Sequence, residues 1–318
     1  MRVGLYTDAL PELDRRGVLA WCAERGIEDV EMGVGAWGPE PRPHLDLRAL
    51  LAERSQRERL QSDLDEFGLR LACVNAAGNV LHPDASARAD AQARLTGALE
   101  LAAALGVDRV VTMSGCPGAP GGSPIGVWAV WSSVADDEGL FAWQFEHEVA
   151  PFWREQSRRA AEIAPDVRIC LELHAGLAAY NPASFLQLAE VTGRNVGVNL
   201  DPSHFWWQGI DPVAVVEAVG DRIGFAHAKD TTVYPDRVRL NGVNDHRFPP
   251  DPDVNTWHFS AVGEGHDDAT WTALLQAIRA AGHDGTVSMP CHQKWLGSRL
   301  TPTLRPVTSA SWRNDAGL

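Results

Sequence analysis

The chain of 318 residues is 45% hydrophobic and 22% charged, with 28 Lys and Arg against 42 Asp and Glu for a formal net charge of −14. That much apolar material can bury a large core, which excludes a disordered chain or a disulfide-stapled mini-protein, and the acidic balance repels nucleic-acid phosphates. Every apolar run is broken by a charge, Gly or Pro well before roughly 20 residues, so no membrane span is predicted.

The N-terminus runs straight into a strand-like pattern at Val3-Gly4-Leu5-Tyr6, without the basic, apolar and small-residue order of a signal peptide, and a cytoplasmic protein is expected. From there, short apolar runs alternate with longer amphipathic stretches. The runs at 3–6, 29–32, 69–74, 109–113, 167–173, 196–200, 223–227 and 286–289 predict eight strands. Helices are predicted at 13–25, 47–67, 86–105, 141–163, 182–191, 212–219 and 268–281. Asn181 before Pro182 and Asp211 before Pro212 are N-cap and first-turn signals, and Gly26, Gly68, Gly106 and Gly282 stand where helices end. Such alternation implies parallel strands with helical crossovers, and eight units in this length fit a (β/α)8 TIM barrel. A doubly wound sheet is less favoured, because no Gly-x-Gly-x-x-Gly follows the first strand.

One barrel domain over 1–298 is predicted, followed by an irregular C-terminal segment over 299–318. There Pro302, Pro306 and the Thr/Ser-rich 308–311 stretch lack the period of a closing helix. The segments 114–139 and 231–266 are long for connections and follow strands four and seven on the face where barrel active sites are built, so they are expected to be lids or interface loops. The five cysteines lie far apart with no C-x-x-C pair and are expected to be reduced and packed.

Chemistry is sought at strand ends. Strand five reads Leu171-Glu172-Leu173-His174, placing a carboxylate in a run that should be buried, where an unpaired charge is costly. Strand six ends Asn199-Leu200-Asp201-Pro202-Ser203-His204, and strand seven Ala226-His227-Ala228-Lys229-Asp230. Neighbouring strands thus deliver Glu, Asp and His to one spot, a hard-oxygen and imidazole set suited to Mn²⁺, Mg²⁺, Zn²⁺ or Co²⁺. The competing structural reading pairs Glu172 with Lys229, uses Asp201 as a turn cap and buries His227 as a core histidine. Three such residues on consecutive strand ends favour the metal site. His204 is a fourth ligand or a substrate contact. Lys229 is assigned to substrate, and His174 is a substrate-binding candidate. Of twelve Trp, Trp206 and Trp207 follow His204 and are candidate pocket walls, Trp206 being taken as a substrate contact. Trp37, Trp128 and Trp131 fall in loops, whereas Trp21, Trp153 and Trp271 lie inside predicted helices and are assigned to packing.

The runs Leu-Glu-Leu-His-Ala-Gly, Asn-Leu-Asp-Pro-Ser-His and Ala-His-Ala-Lys-Asp, with the stretch from Trp257 to the Val262-Gly-Glu-Gly-His266 end, resemble the sugar phosphate isomerase/epimerase family of xylose isomerase-like TIM barrels. The likeness runs from about residue 1 to 288. The stretch from Asn75 through Asn79 to His82-Pro83 is similar to the strand-three loop of a bacterial branch, which makes Asn79 and His82 substrate-binding candidates. The resemblance implies a divalent metal, Mn²⁺ first, held by a Glu, an Asp, a His and a second Glu from strand eight, with a substrate-binding His three residues after the Asp. Carried over, these roles fall on Glu172, Asp201, His227 and His204. The strand-eight Glu has no counterpart, because Ser288-Met289-Pro290-Cys291-His292 puts Pro290 at its position, leaving His292 as a substitute ligand.

The activity so implied is metal-dependent isomerisation or epimerisation of a keto sugar, inosose or related polyol through an enediolate. Glu172 is the base, His204 and Lys229 hold substrate oxygens, and the site is weakened by the loss at Pro290. A 3-keto-glycoside (C-glycoside) lyase with a small partner subunit is the alternative, since proton removal beside a ketone needs one base. An AP-endonuclease-like repair enzyme fits the −14 charge poorly, and a non-catalytic sugar-binding barrel is the remaining reading. A homodimer or higher homo-oligomer is expected, with no nucleic-acid or membrane partner.

Overall fold

The computed structural model describes residues 1–34, 44–130, 139–245, 251 and 253–290. Eight parallel strands close into a barrel in the order β1 (Arg2–Tyr6), β10 (Thr286–Met289), β7 (Ile223–His227), β6 (Val196–Leu200), β5 (Arg168–Glu172), β4 (Arg109–Met113), β3 (Arg70–Asn75) and β2 (Asp29–Gly33). The eight apolar runs of the sequence are these strands. Two further short strands, β8 (Asp230–Val233) and β9 (Trp257–Ser260), pair antiparallel over the carboxyl end of the barrel.

The crossovers carry α1 (Arg15–Glu24), α2 (Leu47–Ala52), α3 (Arg54–Phe67), α4 (Ala85–Leu105), α5 (Leu140–Gln144), α6 (Ala150–Ile163), α7 (Pro182–Ala189), α8 (Ser203–Trp206), α9 (Pro212–Val219), α10 (Pro235–Asn241) and α11 (Asp268–Ala280). Asn181 caps α7 in a reciprocal capping box and Asp211 caps α9 through Val213 N, as the Asx-Pro signals require. Gly68 and Gly106 end α3 and α4 in the left-handed conformation, which a Cβ would penalise. Where one helix is predicted over 47–67 there are two, because Glu53 adopts extended backbone (φ −123°, ψ 119°) between them. The 141–163 stretch is likewise divided, with a π-helical turn at Phe145–Val149 just ahead of Pro151, whose ring and missing N–H disfavour a regular turn.

Most of the apolar core lies between barrel and helices, where Trp153 and Trp271 are buried and Trp21 partly so. A separate small cluster of Ala72, Cys73, Val111, Cys170 and Phe225 packs apart from it. Alternation along β5 places Arg168, Cys170 and Glu172 on one side of the strand, so this cluster divides an upper polar site around Glu172 from a lower one around Arg168. Cys22, Cys73, Cys116 and Cys170 are free and buried. Among the described residues no helix is long and apolar enough to cross a membrane. Cys291, His292, Trp37, Trp131 and the 299–318 segment lie outside the described residues.

Candidate active site

The upper site is built by strand ends. Glu172 closes β5, Asp201 follows β6 directly, and His227 closes β7; all three are buried, as are His204 on α8 and Lys229 after β7. His204 sits within reach because Asp201 tightens the turn after β6: its Oδ1 accepts from the Ser203 amide at 3.0 Å and the Ser203 hydroxyl at 2.6 Å, and α8 starts there.

The side chains converge tightly. His204 Nε2 lies 2.8 Å from Glu172 Oε1 and 3.5 Å from Asp201 Oδ2, while His227 Nδ1 lies 3.2 Å from Glu172 Oε2 and 3.7 Å from the same Asp201 oxygen. Donor atoms of Glu172, Asp201 and His204 all fall within 4.8 Å of one another. Ligands about 2.1 Å from one ion and 90–110° apart stand roughly 3.0–3.5 Å from each other, which matches these separations. Asp201 Oδ2 is held by the Lys229 ammonium at 2.9 Å. The set of Glu172, Asp201 and His204 therefore fits a divalent cation, with His227 against its two carboxylates.

Electrostatics hold both carboxylates ionised. Burial pushes Glu172 upward, but hydrogen bonds from His204 and His227 outweigh it and bring the carboxyl well below its usual range. Burial acts likewise on Asp201, and the charge of Lys229, then His204, pulls it down. His227 is driven well above the ordinary histidine value: burial opposes the charge, but Glu31, Asp201 and Glu172 surround the ring.

Glu31 is the functional residue the sequence reading missed. It lies fully buried on β2, its Oε2 3.0 Å from His227 Nε2, and its Oε1 accepts from Asn75 Nδ2 at 2.6 Å. The signal was the one that exposed Glu172, a carboxylate inside an apolar strand, here Asp29-Val30-Glu31-Met32. With Nε2–H given to Glu31, His227 directs Nδ1 at Glu172 and Asp201; the metal-free ring donates from there to Glu172, and a bound ion would take that proton's place in the carboxylate–histidine–metal arrangement. Asn199 Nδ2, 3.1 Å from both Glu172 Oε2 and His227 Nδ1, braces the same cluster.

The hairpin roofs this site. Phe259 of β9 turns its ring face to the Lys229 ammonium at 4.4 Å and lies edge-on to His204 at 5.2 Å. Trp207 stacks on Trp257 at 4.5 Å, and its buried Nε1 has no partner among the described residues. The hairpin's return is tied down by Asp230, whose carboxylate accepts from the amides of Gly263, Gly265 and His266, the Trp271 indole and the His266 ring. The described part of the segment after strand seven is thus a structured cover.

The other predicted contacts are placed differently. His174 packs tilted by 48° against His204 with ring centroids 4.0 Å apart, and its Nδ1 lies 2.6 Å from the Ala175 carbonyl; burial, then the His204 charge, push it down to about 3, so it is neutral. Trp206 has one face covered by His266 at 3.9 Å and its edge against Trp271, which makes it wall packing. Asn79 spends its amide on Cys116 O, Cys116 N and Leu81 N, clamping the loops after β3 and β4. His82 accepts from Asp84 N at the start of α4. Pro290 is buried at the end of β10.

The model of a xylose isomerase-like TIM barrel matches residues 19–303. The chain belongs to that family. A relative in Bacillus subtilis (strain 168), the uncharacterized protein YfiH, is 30% identical over 293 residues, covering 91% of this chain and 92% of YfiH. Among solved structures, the probable 3-DHS dehydratase AsbF of Bacillus anthracis superposes with a TM-score of 0.62 at 17% identity, over 91% of this chain and 92% of that one. A D-tagatose 3-epimerase-like protein superposes with a TM-score of 0.58 at 20% identity, over 92% and 91%.

Proposed function

We propose that this xylose isomerase-like barrel is a divalent-metal-dependent isomerase or epimerase of a keto sugar, inosose or related polyol. The observation that carries the reading is the convergence of Glu172, Asp201 and His227 from consecutive strand ends with His204 of α8, each histidine 2.8–3.7 Å from both carboxylates. Mixed carboxylate and imidazole donors suit Mn²⁺, which when bound would polarise a carbonyl and its neighbouring hydroxyl. Glu172, kept ionised, takes the proton from the carbon between them. Lys229 and His204 hold the substrate oxygens, Trp207 Nε1 offers a further donor, and Phe259 excludes water above Lys229. His227, fixed by Glu31, keeps its orientation throughout.

A lyase on 3-keto glycosides is the second reading, favoured by one observation. Pro290 stands where a second metal-facing carboxylate would supply the opposite-face base, and Glu31 is committed to Asn75 and His227. That chemistry needs only Glu172. The exposed side chains of Ile125, Trp128 and Val130 after β4 support a homodimer in either reading.

The test is solvent deuterium uptake into a panel of ketoses and inososes by Mn²⁺-loaded protein, with Glu172→Gln as control. Uptake lost in the variant is the expected result. No uptake into any ketose, with aglycone released from an oxidised glycoside, would transfer the assignment to the lyase.

A further inference from the structure

The opposite, amino-terminal end of the barrel holds a cavity of about 330 Å³, in the range of small-ligand pockets. Arg2, Arg70, Arg109 and Arg168 line it, with His283 and the aspartates Asp108, Asp221 and Asp284. The carboxylates are already engaged. Asp29, buried behind the wall, takes both Arg2 and Arg70. Asp108 takes Arg109, Asp221 takes Arg194, and Asp284 takes the N-terminal ammonium.

Arg168 is left over. Among the described residues its guanidinium has no carboxylate partner: Nη2 donates to the Asp221 carbonyl at 2.9 Å, and the buried Nε has no partner. Arg222 beside it likewise reaches only the carbonyls of Gly193 and Val196. The barrel makes room for this charge. A Cβ at Gly197 would collide first with the Arg222 carbonyl oxygen and then, at 2.7 Å, with Arg168 Nε, and one at Gly224 would lie 2.6 Å from Cys170 Sγ and 3.0 Å from Arg168 Cδ, so glycine at both positions lets the neighbouring strands close around the Arg168 stem. A purely stabilising role does not explain the arrangement, because a half-buried guanidinium facing other arginines costs free energy without an anion. Burial and the charges of Arg109, Arg222 and Arg194 do push Arg168 below the ordinary guanidinium value. In a chain of net charge −14, an unmatched positive pocket is built for a negative guest.

We infer that this end of the barrel binds a small phosphate-type oxyanion, free or as a phosphomonoester, with Arg168 as its principal ligand and Arg109 beside it. The planar guanidinium fork matches two oxygens of such a group. The cluster of Cys73, Val111, Cys170 and Phe225 seals the pocket from the upper site, so the anion is a second, separate ligand.

Calorimetric titration of the full chain with inorganic phosphate, at constant ionic strength and with EDTA present, tests the inference; a parallel arm uses glycerol 3-phosphate. Saturable binding of one equivalent is expected, unchanged in Lys229→Met and weakened about tenfold or more in Arg168→Met. Arg168→Lys keeps the charge and loses the fork, so it should fold normally and bind several-fold more weakly. Whichever of the two ligands binds tighter identifies the source. Heat that disappears when chloride is matched, that survives both Arg168 substitutions, or that is abolished by Lys229→Met would overturn the assignment.

Discussion

Glu31 of β2 and His227 of β7 meet across the top of the barrel at 3.0 Å, both fully enclosed. The contact decides which ring nitrogen of His227 faces the carboxylates. Glu31→Gln should therefore lower the His227 titration, because the Glu31 charge is a cause of its elevation, and should weaken metal binding roughly 10–100-fold, as loss of such supporting partners does. Histidine ring resonances followed against pH, with metal titrations, check both. An unmoved His227 would show the pair to be packing alone.

Metal uptake should also release protons. The folded, metal-free His227 holds its proton to a pH well above its usual value, and a ligand must be deprotonated. The sign follows: below the folded value the proton competes, so affinity rises with pH until that value is passed. Calorimetry with Mn²⁺ in two buffers of different ionisation enthalpy should return net proton release at neutral pH, and affinity independent of pH from 6 to 8, on the ordinary histidine scale of about 6.5, would contradict it.

Pro290 directly follows β10 beside the cluster: Ser288, two residues earlier, pairs in register with His227. Pro290→Glu should add a carboxylate to the donor set and tighten Mn²⁺ about tenfold or more, roughly 1.4 kcal/mol. Fluorescence-monitored metal titration measures it. Unchanged affinity would mean that the end of β10 does not face the ion.

Asp230→Ala should destabilise the fold on the order of 3 kcal/mol, since it strands the Gly263, Gly265 and His266 amides and the Trp271 indole around a buried void. Urea unfolding gives the number. A smaller loss with intact secondary structure would locate the damage in the hairpin alone.

The barrel was legible because each strand is a compact apolar run and each helix carries its own stop or start, as Gly68, Gly106, Asn181 and Asp211 show. Glu172, Asp201, His204 and His227 were legible for the same reason, being polar groups at the ends of such runs. The hairpin was not, since β8 and β9 are four residues each and stand 23 residues apart, so no tight-turn signal joins them. Nor was the break at Glu53, where amphipathic periodicity continues across an extended residue. The arginines at the strand starts read singly as solvated charges; only the register of β4 against β5 brings Arg109 and Arg168 together.

The anchoring carboxylate of Asp230 comes directly after Lys229 in the chain, yet it also grips the far end of the 30-odd-residue excursion at Gly263 to His266. Departure and return are therefore knotted at one point, one peptide bond from the ammonium that faces Asp201. Insertions or deletions between Val233 and Trp257 can change what hangs over the mouth of the barrel while the lysine keeps its place. The cover is an exchangeable part, and relatives could diverge in the compounds they admit without rebuilding the strand ends beneath it.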